Sequence, residues 1–354
     1  MNIGFLDLLS IDKIELSKRC NLHPELIEAT IKDFVNHQEN SLLTHDCFTP
    51  GGAEDNDDLV VVSLRDDGLD RILGGGLQPG HIIEVTGESG IGKTQFALQA
   101  CLQVCMPKSQ GGLGGKAIYI STESGLETKR FLQMYNNIKS EITGLTESES
   151  TNNEIILNNL FTNKVGLRTA NSLENVFMYQ LEPFLRQGIK LLVVDSITSA
   201  CRAGGDNEMV GNSQIGKALA DRGASLNRLG SQLQQLAQKH NIAVLVINQV
   251  TDNFYREREN VLSPSPDNSE LFLDCQSNWL NGRAGEYPLK EGHLSTTKPS
   301  KIPALGLVWA NLISTRIIMY RDFERTRRLR MVFAPYTGPA ETEFGICDKG
   351  LISL

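Results

Sequence analysis

Four short apolar runs, separated by longer stretches with helical spacing, constrain most strongly what this chain can fold into. The runs are IIEV at 82–85, AIYIS at 117–121, LLVVD at 191–195 and AVLVIN at 243–248. Apolar runs without polar alternation are typical of parallel strands that are covered on both faces, and the intervening helices supply the crossovers. The sequence therefore predicts an α/β fold around a mostly parallel sheet.

A glycine-rich segment follows the first apolar run and precedes a predicted helix. Its residues are Gly87, Glu88, Ser89, Gly90, Ile91, Gly92, Lys93, Thr94 and Gln95. Glycines let backbone N–H groups turn inward without a Cβ clash, and the helix N-terminus adds partial positive charge. This spacing predicts a phosphate-binding loop in which Lys93 neutralises the β- and γ-phosphates and the Thr94 hydroxyl holds Mg²⁺.

Polar side chains at the ends of the later apolar runs complete this predicted site. Asp195 ends LLVVD, where its carboxylate can reach the magnesium ion through water. Ser196 follows it instead of a glutamate, so the base that activates water must come from another strand. Glu123 follows AIYIS and can orient or deprotonate that water if its strand neighbours the strand of the loop; an exposed glutamate at a strand end is the alternative. Asn248 and Gln249 end the fourth run, where an amide pair can sense the γ-phosphate.

The chain divides into three parts. Residues 1–43 have helical spacing and predict a small N-terminal helical domain. Residues 44–60 contain Pro, Gly and several acids, and predict an extended acidic linker. Residues 61–354 form the core, which is interrupted by a long loop at about 251–302 that is rich in Ser, Pro, Asn and Gly.

The later part of the core predicts one long helix and further strands. Residues 308–320 and 328–335 are expected as strands, and 343–354 as a closing hairpin with its turn at 348–350. A stripe with helical spacing predicts a helix that faces the core, with leucines at 219, 226, 229, 233 and 236.

Composition limits which other sites are expected. The seven cysteines are scattered without a CxxC pair, so no thiolate metal site is predicted, and Cys101 and Cys105 are expected as small buried residues. The net charge is −8 and no run of 18 uncharged apolar residues occurs, so we expect no membrane span and only locally supported contact with nucleic acid. The densest basic cluster is expected on a strand, a turn and a strand, and comprises Arg321, Arg325, Arg327, Arg328 and Arg330. It is interpreted as a solvated hairpin tip, with contact to single-stranded DNA as the alternative.

Five motifs occur in the order of one known family: GESGIGKTQ, GGLGGKAIYISTE, LLVVDSIT, VINQV and the late STR. Over residues 60–354 the chain resembles the RecA-type recombinases of eukaryotes and archaea. Its segments GGLGGKAIYISTE and PALGLVWANLISTRIIMYRD resemble the paralogue branch called Rad57 in fungi and XRCC3 in animals. The resemblance implies a RecA-like P-loop ATPase core with ATP and Mg²⁺ as cofactors. It implies Lys93, Glu123 and Gln249 as catalytic residues, with Glu123 as the base and Gln249 as a sensor. It also implies that Arg130 lies beside adenine and ribose, whereas the residues alone indicate a solvated helix charge.

Two segments that bind DNA in the family depart from its pattern here. The segment CRAGGDNEMVGNSQ keeps Arg202 but has no aromatic residue, and Asp206 and Glu208 stand where positive charge would favour DNA. In the loop between Val250 and Pro303, acidic residues dilute the basic ones. These departures predict weak or shared DNA binding, and a protein partner is the alternative use of the longer loop.

Two further departures concern assembly. Asn311 stands where the family usually places a histidine, which predicts altered coupling between nucleotide and DNA. Filament-forming relatives carry Phe-x-x-Ala in the linker, whereas this chain has Phe48-Thr-Pro-Gly. Phe48 is therefore expected either as an anchor for a protein contact or as an ordinary linker residue, and self-polymerisation is expected to be poor.

The resemblance and the departures favour an accessory role in DNA repair by homologous recombination, including double-strand breaks. In this interpretation the chain binds ATP, hydrolyses it weakly in the presence of DNA, and promotes or stabilises recombinase filaments on single-stranded DNA. The implied partners are a sister paralogue in a heterodimer, the main recombinase and single-stranded DNA, in the nucleus. The alternatives are a strand-exchange recombinase, a hexameric RecA-like DNA helicase, and an interaction scaffold in which bound ATP is structural.

Overall fold

The computed structural model describes most of the core. Described are 60–123, 125–143, 156–163, 167–202, 212–252, 301–322 and 325–354, together with His23, Leu26 and Ala29. The predicted helical domain at 1–43, the linker with Phe48 and the long loop from 253 to 300 therefore lie outside the described residues, apart from these few positions. Of the first DNA segment, CRAGGDNEMVGNSQ, only 201–202 and 212–214 are among the described residues.

Helices and strands alternate through the first part of the core. The helices are α1 Asp67–Ile72, α2 Lys93–Cys105, α3 Thr128–Thr143, α4 Ala170–Asn175, α5 Glu182–Leu185, α6 Ile197–Arg202, α7 Asn212–His240 and α8 Gly306–Ala310. A π-helical turn, Val176–Gln180, joins α4 to α5, and a 3₁₀ turn covers Lys108–Gln110. The strands are β1 Ile82–Gly87, β2 Lys116–Ser121, β3 Leu160–Thr162, β4 Ile189–Asp195, β5 Ala243–Asp252, β6 Lys301–Pro303, β7 Thr315–Arg321, β8 Arg327–Phe333, β9 Ala340–Cys347 and β10 Gly350–Ser353.

The strands pair in the order β10-β9-β8-β7-β1-β5-β4-β2-β3, with the short β6 antiparallel to the end of β5. Pairing is parallel from β7 through β3 and antiparallel from β7 through β10. The prediction of an α/β fold with a mostly parallel sheet is therefore confirmed. The four apolar runs are β1, β2, β4 and β5, which lie side by side in the middle of the sheet.

The core has one apolar cluster on each face of the sheet. Alternate residues of one strand divide between the clusters: Leu191 and Val193 face α2 and α3, whereas Leu192 and Val194 face α7. Coverage on both faces explains why these strands lack polar alternation. The leucine stripe is confirmed for the four positions whose side chains are described, 226, 229, 233 and 236, all of which are buried on α7. Cys101 and Cys105 are buried in α2, as predicted.

The prediction that residues 308–320 form one strand is wrong. Gly306–Ala310 form α8, and β7 begins only at Thr315. The indole Nε1 of Trp309 donates a hydrogen bond of 2.9 Å to the buried carboxylate of Glu84 on β1. This contact orients a helical turn towards the core and outweighs the strand propensity of the run. The strands predicted at 328–335 and in the closing hairpin are confirmed as β8 and as β9 with β10.

None of the helices in the described parts of the chain is long and apolar enough to cross a membrane.

Candidate functional site

The predicted site residues converge at the edge of the sheet where the parallel strands end. Ligands of open α/β sheets bind outside the carboxyl ends of the strands, so this edge is the expected place for a nucleotide. The strand of Glu123 does not neighbour the strand of the glycine-rich loop, because β5 and β4 lie between β1 and β2. The predicted role of Glu123 assumed that these two strands are neighbours, and in the structure they are not. The charge of Glu123 nevertheless acts on Lys93, which places Glu123 near the loop.

The glycine-rich loop has backbone angles that few other residues adopt. Gly90 has φ +71° and Gly92 has φ +125°, and Gly92 directly precedes the first residue of α2. At the other end of the loop, a Cβ on Gly87 would lie 2.3 Å from the carbonyl oxygen of Met319 on β7. The loop is thus fixed between a close strand contact and the N-terminus of a 13-residue helix, whose partial positive charge favours an anion.

The side chain of Lys93, the first residue of α2, lies inside the loop, with its ammonium directed at carbonyl oxygens. Its Nζ donates to the oxygen of Gly87 at 2.8 Å and to that of Glu88 at 2.6 Å. Burial lowers the pKa of Lys93, and the charges of Asp195, Glu88 and Glu123 oppose this shift. A buried cation whose charge is only partly balanced is well placed to receive a phosphate.

Thr94 and Asp195 meet at the mouth of the loop. The Thr94 hydroxyl donates to Oδ2 of Asp195 at 2.8 Å, which joins the first turn of α2 to the end of β4. The same oxygen accepts a second bond, of 2.6 Å, from the Tyr119 hydroxyl on β2. Burial and the charge of Asp195 raise the pKa of Tyr119 well above its usual range, so the phenol is a donor. Sequence reasoning did not identify Tyr119, whose only signal was a hydroxyl within an apolar run.

Glu123 is exposed at the end of β2, near the other predicted residues. Its charge acts on Lys93, which indicates proximity to the loop. The backbone beside it is anchored, because the N–H of Thr122 donates to the carbonyl of Asp195 at 2.8 Å. The position suits the predicted base, a role that remains a prediction.

Gln249 and Asn248 lie in different surroundings. Gln249 is the register partner of Gly87, so it lies directly beside the start of the loop, and its role as a sensor remains a prediction. Its N–H donates to the Thr198 hydroxyl at 2.9 Å. Asn248 is fully buried, donates to Glu84 at 2.7 Å and accepts from Thr198 at 2.6 Å. The interpretation of Asn248 as part of a phosphate-sensing amide pair is therefore wrong, because adjacent strand residues face opposite sides of the sheet.

Arg130 is not a solvated helix charge. Its Nε donates to Gln95 at 2.7 Å, and its two terminal nitrogens donate to the carbonyls of Cys347 at 2.6 Å and Asp348 at 3.3 Å. A further bond of 2.9 Å reaches Gln133. These contacts join the start of α3, the first turn of α2 and the β9–β10 turn. Arg130 thus lies next to Gln95 of the predicted nucleotide site, and its contact with a base remains a prediction.

A buried polar network beneath the loop was missed from the sequence. Glu84 is 0% exposed and Arg316 is 1% exposed, and Nε of Arg316 donates to the Glu84 carboxylate. Trp309 and Asn248 donate to the other carboxylate oxygen. The sequence contained one signal for this network, the glutamate within the apolar run IIEV. A charged side chain buried in a central strand requires a partner, so this glutamate predicts one.

The basic cluster forms the predicted hairpin, but its arginines differ in environment. Arg328 contacts Asp322, Glu341 and Glu343, and Arg330 contacts Glu341. These carboxylates neutralise Arg328 and Arg330, so neither arginine adds free positive charge to the cluster. Arg321 and Arg325 are exposed and have no ion pair with any described residue. A phosphate contact by the hairpin thus depends on the exposed Arg321 and Arg325 and the partly buried Arg327, rather than on Arg328 or Arg330.

The donor set fits ATP with magnesium. Mg²⁺ prefers oxygen ligands and is usually held by one or two protein oxygens with phosphates and waters, which matches the Thr94 and Asp195 pair. Within the described ranges, no group of three or more His, Cys, Asp or Glu could hold a metal by itself. The phosphates would complete the site between the ammonium group of Lys93 and the backbone N–H groups at the N-terminus of α2.

Comparison with known proteins is consistent with this geometry. Residues 56–261 match the Rad51 family. The chain is 31% identical to DNA repair protein rhp57 of Schizosaccharomyces pombe, over 99% of this chain and 93% of that protein. It is 25% identical to DNA repair protein RAD57 of Saccharomyces cerevisiae, over 98% and 90%. It is 27% identical to DNA repair protein XRCC3 of Bos taurus, over 80% and 72%. With its RecA-like α/β core, the chain therefore belongs to the Rad51 family, as a paralogue of the branch that includes Rad57 and XRCC3.

Proposed function

We propose that this chain is an ATP-binding accessory paralogue in DNA repair by homologous recombination, acting in the nucleus. It promotes or stabilises filaments of the main recombinase on single-stranded DNA, as a heterodimer with a sister paralogue. The observation that carries the proposal is the contact between Thr94 and Asp195 at the mouth of a complete phosphate-binding loop. Membership of a family of DNA repair proteins gives that nucleotide site its context.

The accessory role is supported by what surrounds the nucleotide site. The net charge is −8, and the segment after Arg202 has acids and no aromatic residue. An acidic molecule repels a polyanion, so tight DNA binding requires a strong local basic patch. Of the arginines on the β7–β8 hairpin, two are neutralised by carboxylates. These features favour a subunit that shares DNA with a partner.

In the proposed site each side chain has one task. Lys93 and the backbone N–H groups of the loop bind the phosphates, and Thr94 with Asp195 holds the cation. Mg²⁺ bound there would neutralise negative charge of the phosphates. Glu123 holds a water for slow hydrolysis, and Gln249, beside Gly87, transmits the state of the site to the chain that follows β5.

The decisive experiment is size measurement of the purified chain with and without candidate sister subunits and ATP, followed by strand-exchange assays of each form. We expect a stable heterodimer that increases recombinase assembly on single-stranded DNA and has no pairing activity of its own. Helical filaments that pair homologous DNA would instead identify a strand-exchange recombinase. Ring-shaped hexamers with ATP-dependent unwinding would identify a helicase.

One substitution distinguishes a subunit whose activity requires ATP from a scaffold in which bound ATP is only structural. Lys93→Ala removes a buried charge-assisted contact to phosphate and should weaken ATP binding by roughly 2 kcal/mol or more. We expect it to reduce recombinase assembly on DNA in the same assays, whereas Lys108→Ala, at an exposed lysine of the 3₁₀ turn, should change neither property. Full assembly activity in Lys93→Ala would show that bound ATP is only structural.

A further inference from the structure

The metal-facing carboxylate of Asp195 is held by two different elements. Thr94 on α2 and Tyr119 on β2 both donate to Oδ2, at 2.8 and 2.6 Å. Both distances are typical of good O–H···O bonds. Among the described residues, no side-chain donor contacts Oδ1, so Oδ1 is the oxygen left for a water bound to the metal.

Tyr119 is fixed more firmly than Thr94. Its side chain is 2% exposed and belongs to the apolar cluster between the sheet and α2. Its backbone pairs with Val193 on β4, two residues before Asp195 on the same strand. The phenol therefore has little rotational freedom and determines where the carboxylate group can lie. Thr94 is only partly buried, and its oxygen is itself a predicted ligand of the metal.

We propose that Tyr119 is a positioning residue of the magnesium site, whose hydroxyl holds the Asp195 carboxylate ready for the metal's water ligand. Tyr119 thereby sets the Mg²⁺ concentration that nucleotide binding requires. The proposal rests on the proposed binding of ATP with magnesium. Tyr119 would act on the metal through Asp195 and the water ligand. Hydrogen-bond partners that orient the groups around a metal typically contribute a factor of about 10 to 100 to metal affinity.

The test is the Mg²⁺ dependence of nucleotide binding by the full chain with Tyr119→Phe. A fluorescent ATP analogue is titrated with protein at increasing Mg²⁺ and separately in EDTA. We expect the Mg²⁺ concentration for half-maximal binding to rise about tenfold. The affinity in EDTA should stay that of the wild type, because phenylalanine keeps the ring and the loop still binds phosphate.

Tyr135→Phe is the matched control. Tyr135 is also 2% exposed and lies on α3, and the side chain that acts on its hydroxyl is Gln110 rather than Asp195. This variant also removes a hydroxyl from a buried tyrosine, and its Mg²⁺ dependence should match that of the wild type. If Tyr119→Phe does not fold, Tyr119→Met removes the same donor with a more adaptable side chain and repeats the test.

The outcomes separate this inference from the proposed function. A wild-type chain that binds no analogue at any Mg²⁺ concentration would overturn the proposed function itself, and the role of Tyr119 with it. Normal binding by the wild type and an unchanged Mg²⁺ dependence in Tyr119→Phe would overturn the role of Tyr119 alone. An equal loss of affinity with Mg²⁺ and in EDTA would also overturn it, because it would indicate a general packing effect.

Discussion

Gly87 shows how one missing side chain positions the phosphate-binding loop. An added Cβ would lie 2.3 Å from the carbonyl oxygen of Met319, which is backbone of β7 and cannot turn aside. Gly87→Ala must therefore separate β1 from β7 at the loop, and overpacking of this kind costs about 1–3 kcal/mol. We expect the free energy of unfolding, measured by urea denaturation, to fall by that amount.

Gly223→Ala provides the control for this substitution. Gly223 lies within α7, and an added Cβ would meet no atom within 4 Å. Alanine is the better helix former, so this variant should be more stable by up to about 1 kcal/mol. A Gly87→Ala protein as stable as the wild type would contradict the close contact with β7.

The sequence predicted those site residues whose roles follow from local spacing. Lys93 and Thr94 follow from the glycine pattern, and Asp195 from its place at the end of an apolar run. Tyr119 could not be predicted, because its partner lies 76 residues away and depends on which strands are neighbours. The contact between Glu84 and Arg316 spans 232 residues and was missed for the same reason.

At the scale of elements, the buried network under the loop connects β1, β5, β7 and α8. Arg316→Met would leave the Glu84 carboxylate buried without its cation, which typically costs about 3–5 kcal/mol. We expect a corresponding fall in unfolding free energy. The double variant with Glu84→Gln should recover much of the loss, because no unpaired charge then remains in the core.

An exposed pair of the same chemistry is the control for the buried one. Arg228 contacts Glu174 at 2.7 Å, but its side chain is 54% exposed. Exposed ion pairs contribute about 1 kcal/mol or less, so Arg228→Met should change stability little. If Arg316→Met and Arg228→Met had equal effects, or if the double variant recovered nothing, the contact with Glu84 would not stabilise the core.

Helices and strands whose hydrophobic pattern matches their burial could be predicted from the sequence. Those whose conformation depends on one distant contact could not. The central strands have the unbroken apolar runs, and α7 has the helical spacing of leucines, that their burial requires. In α8, the apolar residues resemble a strand, and the bond from Trp309 to Glu84 decides otherwise. The π-helical turn Val176–Gln180 likewise has no signal that distinguishes it from an ordinary helix.

At the scale of the whole molecule, the order of the strands determines which residues lie next to one another at the site. The sequence predicted parallel strands but not that two of them separate β1 from β2. Adjacency depends on how each crossover passes over the sheet, which apolar runs alone do not encode. The carboxyl ends still lie along one edge, so the predicted site residues converge although their strands are not all neighbours.

Charge is also a property of the whole molecule, and it makes DNA contact by the β7–β8 hairpin testable. With a net charge of −8, binding to single strands should depend on the few exposed arginines that lack carboxylate partners. Arg321 and Arg325 are such residues within the described part of the chain. We expect their joint replacement by Gln to weaken binding at every sequence and to lower the slope of log affinity against log salt by about 0.7 per lost phosphate contact.

A charge-matched variant distinguishes this local contact from a change in net charge. Arg71 on α1 and Lys108 on the 3₁₀ turn are exposed, and their joint replacement by Gln removes the same two charges elsewhere. Titrations of fluorescent single-stranded DNA at several salt concentrations should then give a near wild-type slope. Because long-range repulsion is screened beyond about 10 Å at 0.1 M salt, only a direct phosphate contact can change the slope in one variant and not in the other. Equal slopes in both variants would mean that the hairpin does not touch DNA, and that the bound strand lies against another part of the chain.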